Sequence, residues 1–182
     1  MRIFSDEVKT LGELENALKG QNDIPCHYSV AVEGLVFDHN FRWILMRRGK
    51  KCRDEIGKLE GIGGRFEKDK DFKTALMREI REEVGTQANI RIISFFEVRK
   101  DTVDIPYSTN NEKNHWIIVS FICFFQGGQL QVVEPEKNEG FVFKQLDSID
   151  KAELSSSSKA AFESLLSEWN RIKSLISESA SS

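Results

Sequence analysis

Short runs of apolar residues alternate with polar turns along the chain, and the spacing within these runs predicts a series of strands. From Tyr28 to Phe37 the β-branched residues and loose alternation indicate a strand, and residues 42–48 indicate a second one after a polar turn. Residues 90–100 and 115–125 predict two more, and the second shows so little alternation that we expect it at the centre of the sheet. A last strand is predicted at 140–146, after a charged loop.

Helical spacing replaces this alternation in three other segments, which lie at residues 6–20, at Asp71–Val84 and after residue 155. The first has Thr10 and Glu13 at the spacing of an internal capping box, and in the last the serines at 155–158 open the helix. The apolar positions of the last helix are Ala161, Leu165, Trp169, Ile172 and Ile176. Strands mixed with helices in this way predict an α/β fold, a sandwich with a mixed sheet.

The boundaries of these segments suggest one main domain with short additions. We expect a helical extension at residues 1–24, a domain at 25–176 that includes the last helix, and a disordered tail at 177–182. The N-terminal segment has acidic residues every few positions, unlike a signal peptide, and no apolar run is long enough to span a bilayer. Three widely spaced cysteines favour a reducing compartment, so we expect a cytoplasmic protein.

The overall charge argues against one class of partner. The 182 residues have a formal net charge of -3 and a pI near 5.7. A chain with this balance has no general electrostatic attraction for a nucleic-acid polymer or an anionic membrane. We therefore expect a small-molecule ligand rather than either of these.

Three glutamates crowd one face of the predicted helix at Asp71–Val84. Glu79, Glu82 and Glu83 fall within about 100° of one another on a helical projection, because residues three and four apart are neighbours. Like charges this close are unfavourable unless a cation lies between them, and oxygen clusters of this type suit Mg²⁺ or Mn²⁺. The alternative is a solvated face on which the neighbouring arginines are the partners of the glutamates.

The segment before this helix makes the metal interpretation more specific. Gly61, Gly63 and Gly64 allow the backbone to approach a ligand closely. The spacing from Gly64 to the run Arg78-Glu79-Ile80-x-Glu82-Glu83-x-Gly85 resembles the Nudix box of MutT-type pyrophosphohydrolases. The strand order from about residue 27 to the last helix is also similar to that family, so the resemblance covers most of the chain.

The resemblance implies a Nudix-type α/β/α sandwich and a set of roles for the box residues. Glu79, Glu82 and Glu83 would bind Mg²⁺, with Mn²⁺ as a substitute, together with the backbone carbonyl of Gly63. Arg78 would orient the carboxylates. The metal would neutralise a diphosphate bridge and activate the attacking water. Glu79 would orient or deprotonate that water, although in this family the base sometimes lies on a later loop.

Two box positions depart from the family pattern. Thr86 replaces a hydrophobic residue, which is a mild change, but Lys70 replaces the first box glutamate. A lysine cannot bind the metal, although Asp69 or Asp71 could supply the missing carboxylate if the loop shifts. Three outcomes stay open: an active enzyme with a rearranged loop, a slow enzyme, and a nucleotide binder without catalysis.

A second segment bears on the substrate. Residues 134–141, with the sequence EPEKNEGF, resemble a loop of a MutT-like branch that hydrolyses nucleoside triphosphates. Glu136 and Glu139 could provide a metal ligand or the base, and the alternative is a charged surface turn. Candidate substrate-binding residues are Arg47, Arg48, Gly64, Arg65 and Glu136; strand alternation directs only one of the first two toward a cleft. Four aromatic residues could stack on a base, although core packing is expected for most of them: Phe37, Phe66, Trp116 and Phe141.

These observations lead to one main functional hypothesis and two alternatives. The main one is Mg²⁺-dependent hydrolysis of a nucleoside diphosphate linked to another group, foremost a (deoxy)nucleoside triphosphate to monophosphate and pyrophosphate. The alternatives are an ADP-ribose or nucleotide-sugar pyrophosphatase and a weakened nucleotide sensor. The terminal helices either cover the core or form a homodimer contact.

Overall fold

The computed structural model describes residues 2–3, 9–18, 28–104 and 113–181. Its helices are α1 (Leu11–Leu18), α2 (Phe72–Val84) and α3 (Ser156–Ala180). Its strands are β1 (Arg2–Ile3), β2 (Ser29–Phe37), β3 (Trp43–Arg48), β4 (Leu59–Glu60), β5 (Ile62–Arg65), β6 (Ala88–Asp104), β7 (Lys113–Gly128) and β8 (Asn138–Lys144).

The strands of the described residues form one mixed sheet. Its main path is β1-β6-β7-β2-β3-β4, while β5 pairs with β2 and β8 pairs with β3. Only β2 and β7 run parallel; the other pairs are antiparallel. The apolar strand predicted to be central is β7, which lies between β6 and β2. Its continuous apolar sequence follows from burial on both faces.

Helices cover both faces of the sheet, which confirms the predicted α/β/α sandwich. On one face, the apolar side of α2 packs with Leu14 of α1 against strand residues such as Val32 and Ile62. On the other face, α3 buries Phe162, Leu165 and Ile176 against the sheet. These two cores account for the apolar stripes of the helices and for the few polar positions in the strands.

The helix ends differ from the sequence prediction in two places. Helix α1 begins at Leu11, since Thr10 and Glu13 form a terminal capping box rather than an internal one. The tail expected to be disordered from 177 is helical through Ala180. Arg91 Nη2 donates to the carbonyl of Ser179 at 2.6 Å, and the buried stripe continues past Ile176, so tertiary contacts extend the helix.

Strands β6 and β7 are also longer than predicted, because they continue as a hairpin toward residues 104 and 113. The polar sequence at 108–114 indicates a hairpin loop, and all of it except Lys113 and Asn114, which are in β7, lies outside the described residues. The predicted boundary between residues 1–24 and 25–176 lies wholly outside them. No helix in the described part of the chain is long and apolar enough to cross a membrane.

A buried polar network joins the sheet to α3. Arg99 donates to Glu33 and to Ser120, both at 2.6 Å, and to Ser157 at 2.9 Å. It also contacts Glu97 at 3.4 Å. This single guanidinium therefore links β2, β6 and β7 to the first turn of α3.

Candidate active site

Helix α2 presents the box glutamates because its apolar residues anchor the opposite side. Phe72, Leu76 and Ile80 are buried in the core, and Asp71 caps the N-terminus by accepting from the Thr74 amide at 2.8 Å. Gly85 ends the helix with a positive φ of 84°, which glycine tolerates.

Strand β5 closes against this helix and fixes two of the glutamates. The Gly63 amide donates to Glu83 Oε2 at 2.8 Å. Gly64 leaves room for Glu79, since a Cβ at position 64 would lie 2.4 Å from Glu79 Oε2. The glycines thus serve close packing between a backbone strand and carboxylates, as the sequence suggested for this loop.

Arg78 is the hub of the acidic cluster. Its Nη1 donates to Glu79 at 2.7 Å and to Glu82 at 3.2 Å. Its Nη2 donates to the Arg65 carbonyl at 3.1 Å and to Asp69 at 2.9 Å. The guanidinium therefore ties the helix to both the glycine strand and the loop that follows it.

In the loop between β5 and α2, Asp69 supplies the acid that the box lacks at Lys70. Lys70 is exposed, whereas Asp69 accepts two hydrogen bonds from Arg78, from Nη2 at 2.9 Å and from Nε at 3.3 Å. The hydrogen bond from Arg78 lowers the pKa of Asp69. Asp71, the other acid beside Lys70, is occupied as the helix cap, and its pKa is lowered chiefly by the Thr74 amide.

The electrostatics of the cluster favour a bound cation. Burial raises the pKa of Glu79, and desolvation raises the pKa of Glu83 well above its usual range, reinforced by the charges of Glu60, Glu79 and Glu134. Within the described ranges no three acidic, histidine or cysteine side chains converge into a ready metal cage, and Arg78 bridges Glu79 and Glu82. The donor chemistry fits a hard divalent cation such as Mg²⁺, which would take over carboxylate oxygens that Arg78 now contacts.

The charged loop contributes an acid other than the two that the sequence suggested. Glu134 lines the groove with Glu79, Glu82 and Glu83. Glu134 is paired there with Lys137, which also lines the groove and donates to Glu134 at 3.0 Å. Glu136 pairs with Lys51, and neither Glu136 nor Glu139, which is exposed near the start of β8, belongs to the described lining of that groove. The structure therefore brings Glu134, rather than Glu136 or Glu139, to the box; the sequence marked the segment but not the residue.

Of the two arginines at the end of β3, only Arg48 faces the cleft. It pairs with Glu60 and with Asp54, the latter at 2.8 Å, and its guanidinium lies between two adjoining cavities. Arg47 donates to the carbonyl of Gly57 at 2.9 Å. Sequence reasoning missed Glu60, whose pKa is raised by burial; its position directly before the glycine run was the available signal.

A second part of the cleft, of about 240 Å³, lies beyond the glycine strand. Arg65 lies over the ring of Trp116, with 5.3 Å from the guanidinium carbon to the ring centre. Glu33 and Ser157 of the buried network also line this space. This second cavity and the acidic groove share Gly63 and Gly64 in their linings, so they adjoin at the glycine strand.

The sequence model of the NUDIX domain matches residues 27–165. The chain belongs to the NUDIX family. This match confirms the family indicated by the box and includes every candidate site residue described above. No curated protein resembles the chain closely enough for a significant match.

Solved structures agree with this NUDIX assignment at the level of the fold. A MutT NUDIX hydrolase from Burkholderia pseudomallei is 24% identical with a TM-score of 0.58, covering 76% of this chain and 98% of its own. The MutT protein from Methanosarcina mazei Go1 is 18% identical with a TM-score of 0.56, covering 80% and 98%. A UDP-X diphosphatase is 17% identical with a TM-score of 0.56, covering 87% and 70%.

Proposed function

We propose that this NUDIX protein is a Mg²⁺-dependent pyrophosphohydrolase, and that Mn²⁺ can replace Mg²⁺. Its substrate is a nucleoside diphosphate linked to another group, foremost a (deoxy)nucleoside triphosphate cleaved to monophosphate and pyrophosphate. The observation that carries the proposal is the seating of Glu79 and Glu83 against the glycine strand, with the Gly63 amide holding Glu83 at 2.8 Å.

The protein's own groups have distinct tasks in this reaction. Glu79, Glu82 and Glu83 supply the carboxylate oxygens, assisted by the Gly63 carbonyl, and Arg78 orients them from the helix side. A divalent cation held by these oxygens would neutralise phosphate charge and make the attacking water more acidic. Glu79 or Glu134 accepts the proton of the attacking water, since both carboxylates line the same groove.

The remaining cleft residues serve substrate binding. Arg48 lines both cavities and is paired with Glu60 and Asp54, so its guanidinium would bind a substrate phosphate by exchanging one of these carboxylates for it. Arg65 and Trp116 line the second cavity and stack on each other, and we assign the base to this cavity because guanidinium and indole faces both stack on aromatic rings. Gly64, the other substrate-binding candidate, seats the Glu79 carboxylate, because that carboxylate fills the space where a Cβ of Gly64 would lie.

A nucleotide-sugar or ADP-ribose pyrophosphatase is the second candidate. The similarity in fold to a UDP-X diphosphatase favours it. Lys70 favours a third candidate of another class, a nucleotide sensor with weakened catalysis. The complete set of Glu79, Glu82 and Glu83 argues against the sensor, because nucleotide binding alone does not require three crowded carboxylates.

A product assay separates these candidates. The full chain would be incubated with nucleoside triphosphates, ADP-ribose and nucleotide sugars, with Mg²⁺, with Mn²⁺ and with a chelator. We expect metal-dependent release of pyrophosphate and nucleoside monophosphate from triphosphates. Release of sugar phosphates alone would support the second candidate, a nucleotide-sugar or ADP-ribose pyrophosphatase. Tight nucleotide binding without any product would support the sensor.

The same proposal covers partners and location. The substrate is a small nucleotide, and the net charge of -3 disfavours a nucleic-acid polymer or a membrane surface as a partner. A homodimer and a cytoplasmic location complete the proposal. Size-exclusion chromatography with light scattering, performed across a concentration series, tests the dimer.

A further inference from the structure

We propose that Asp69 is the positioning residue of this NUDIX site, acting through Arg78 in place of the acid that the box lacks at Lys70. This inference rests on the proposed metal-dependent function and concerns how this chain keeps its metal-binding carboxylates in place. Asp69 is not itself a metal ligand or a catalytic residue in this account.

The geometry of the Asp69–Arg78 pair is that of a fork. Both carboxylate oxygens of Asp69 accept from Arg78, Oδ2 at 2.9 Å from Nη2 and Oδ1 at 3.3 Å from Nε. Such pairs fix the plane of the guanidinium as well as its distance. The side chains of Asp69 and Arg78 are 11% and 29% exposed, so this pair is partly shielded from water.

The fixed plane determines where the other nitrogen points. With Nε and Nη2 held by Asp69, Nη1 lies at 2.7 Å from Glu79 and 3.2 Å from Glu82. Nη1 already contacts these carboxylates with the fork in place, and an Arg78 released from Asp69 would be free to turn Nε and Nη2 onto them as well. It would then compete with a cation for their oxygens, so loss of Asp69 should weaken metal binding.

The neighbours of Asp69 cannot take over this task in the chain as it stands. Lys70 carries the wrong charge and is exposed, and Asp71 is held by the Thr74 amide as the cap of α2. A glutamate placed at position 70 would restore an acid at the box position. In this chain the acid that pairs with Arg78 is therefore Asp69, one residue before the box position at Lys70.

The test measures Mn²⁺ affinity of the full chain by titration calorimetry, which does not require turnover. Asp69→Asn should weaken Mn²⁺ binding about tenfold, the lower end of the range for groups that orient metal ligands. Asp69→Asn/Lys70→Glu should recover most of this loss. Asp71→Asn is the matched control and should leave the affinity unchanged, because asparagine also caps helices.

A double-mutant cycle shows whether Asp69 acts through Arg78. In an Arg78→Lys background, Asp69→Asn should have little further effect, since the fork is already lost. Additive effects, no rescue by Lys70→Glu, or an Asp69→Asn variant that binds Mn²⁺ like Asp71→Asn would each overturn the inference. Because binding is read without turnover, a chain that hydrolyses none of the tested nucleotides would overturn the proposed function and leave this test intact.

Discussion

Gly64 shows how one missing side chain shapes the site. A Cβ at this position would meet the carboxylate of Glu79, with 2.4 Å to Oε2 and 2.5 Å to the carboxyl carbon. Any larger residue therefore has to push this carboxylate away from the groove. The restriction comes from the site and not from the core, because the clashing atoms are the far end of a flexible side chain.

Gly64→Ala should lower metal-dependent turnover about a hundredfold, the scale expected when a reacting group is misplaced by roughly 1 Å. The melting temperature should change little, since Glu79 can move toward solvent. Steady-state kinetics and thermal unfolding of the same preparation check this. Gly12→Ala is the control, because a Cβ there meets no atom within 4 Å; equal activity of the two variants would contradict the prediction.

The residues of the site were predictable from sequence to different degrees. The box spacing identified Glu79, Glu82 and Glu83 because helical geometry alone brings them together. It could not choose between Asp69 and Asp71, since that choice depends on which residue caps α2. For the same reason the loop acid Glu134 could not be separated from Glu136 and Glu139, as the fold of an irregular loop decides which of them faces the box.

At the level of elements, the Arg99 network holds the sheet against α3. Glu33 and Glu97 are both buried, and Arg99 is the cation that contacts both. Two residues of the network, Glu33 and Ser157, also line the second cavity, beside Arg65 and Trp116. It therefore connects the stability of the sandwich to the shape of the cleft.

Arg99→Met should destabilise the protein by about 3–5 kcal/mol, because it removes the guanidinium that pairs with the buried Glu33 carboxylate. Urea unfolding of Arg99→Met and of a comparison variant, Arg171→Met, measures the change in the free energy of unfolding. Arg171→Met serves for comparison: its ion pair with Glu168 is largely exposed, and its loss should cost about 1 kcal/mol or less. If the two variants lost equal free energy of unfolding, the buried network would not be what stabilises the packing of α3 on the sheet.

The elements themselves were largely predictable. Alternation located β2 and β3, a continuous apolar run located the central β7, and serine capping located the start of α3, whose N-cap is Ser155. The exceptions are β1, β4 and β5, which the sequence did not predict as strands, and the end of α3 and the length of β6 and β7, where pairing with distant parts of the chain extends the element. Local patterns carry no information about such partners, such as the contact between Arg91 and Ser179.

For the whole molecule, the raised pKa values of Glu79 and Glu83 link stability to pH when metal is removed. Their ordinary value is 4.5, and each is higher in the folded chain. As pH rises above about 4.5, the unfolded chain loses these protons first, so stability falls until the folded carboxyls also ionise.

Glu83→Gln should therefore be more stable than the unsubstituted chain in chelator at pH 8, with the difference shrinking toward pH 4.5. Thermal unfolding at several pH values measures this, and glutamine can still accept from the Gly63 amide. Parallel pH profiles of the two proteins would contradict the assigned environment of Glu83. Added Mg²⁺ should reverse the order, since only the glutamate binds it well.

The most direct test of the proposed activity is pyrophosphate release from a nucleoside triphosphate panel with Mg²⁺, compared among the unsubstituted chain, Glu83→Gln and Lys70→Ala. We predict metal-dependent release by the first, loss of that release in Glu83→Gln, and a change of less than about tenfold in Lys70→Ala, as for a surface site outside the reacting groups. Undiminished release by Glu83→Gln would contradict the assignment of the site.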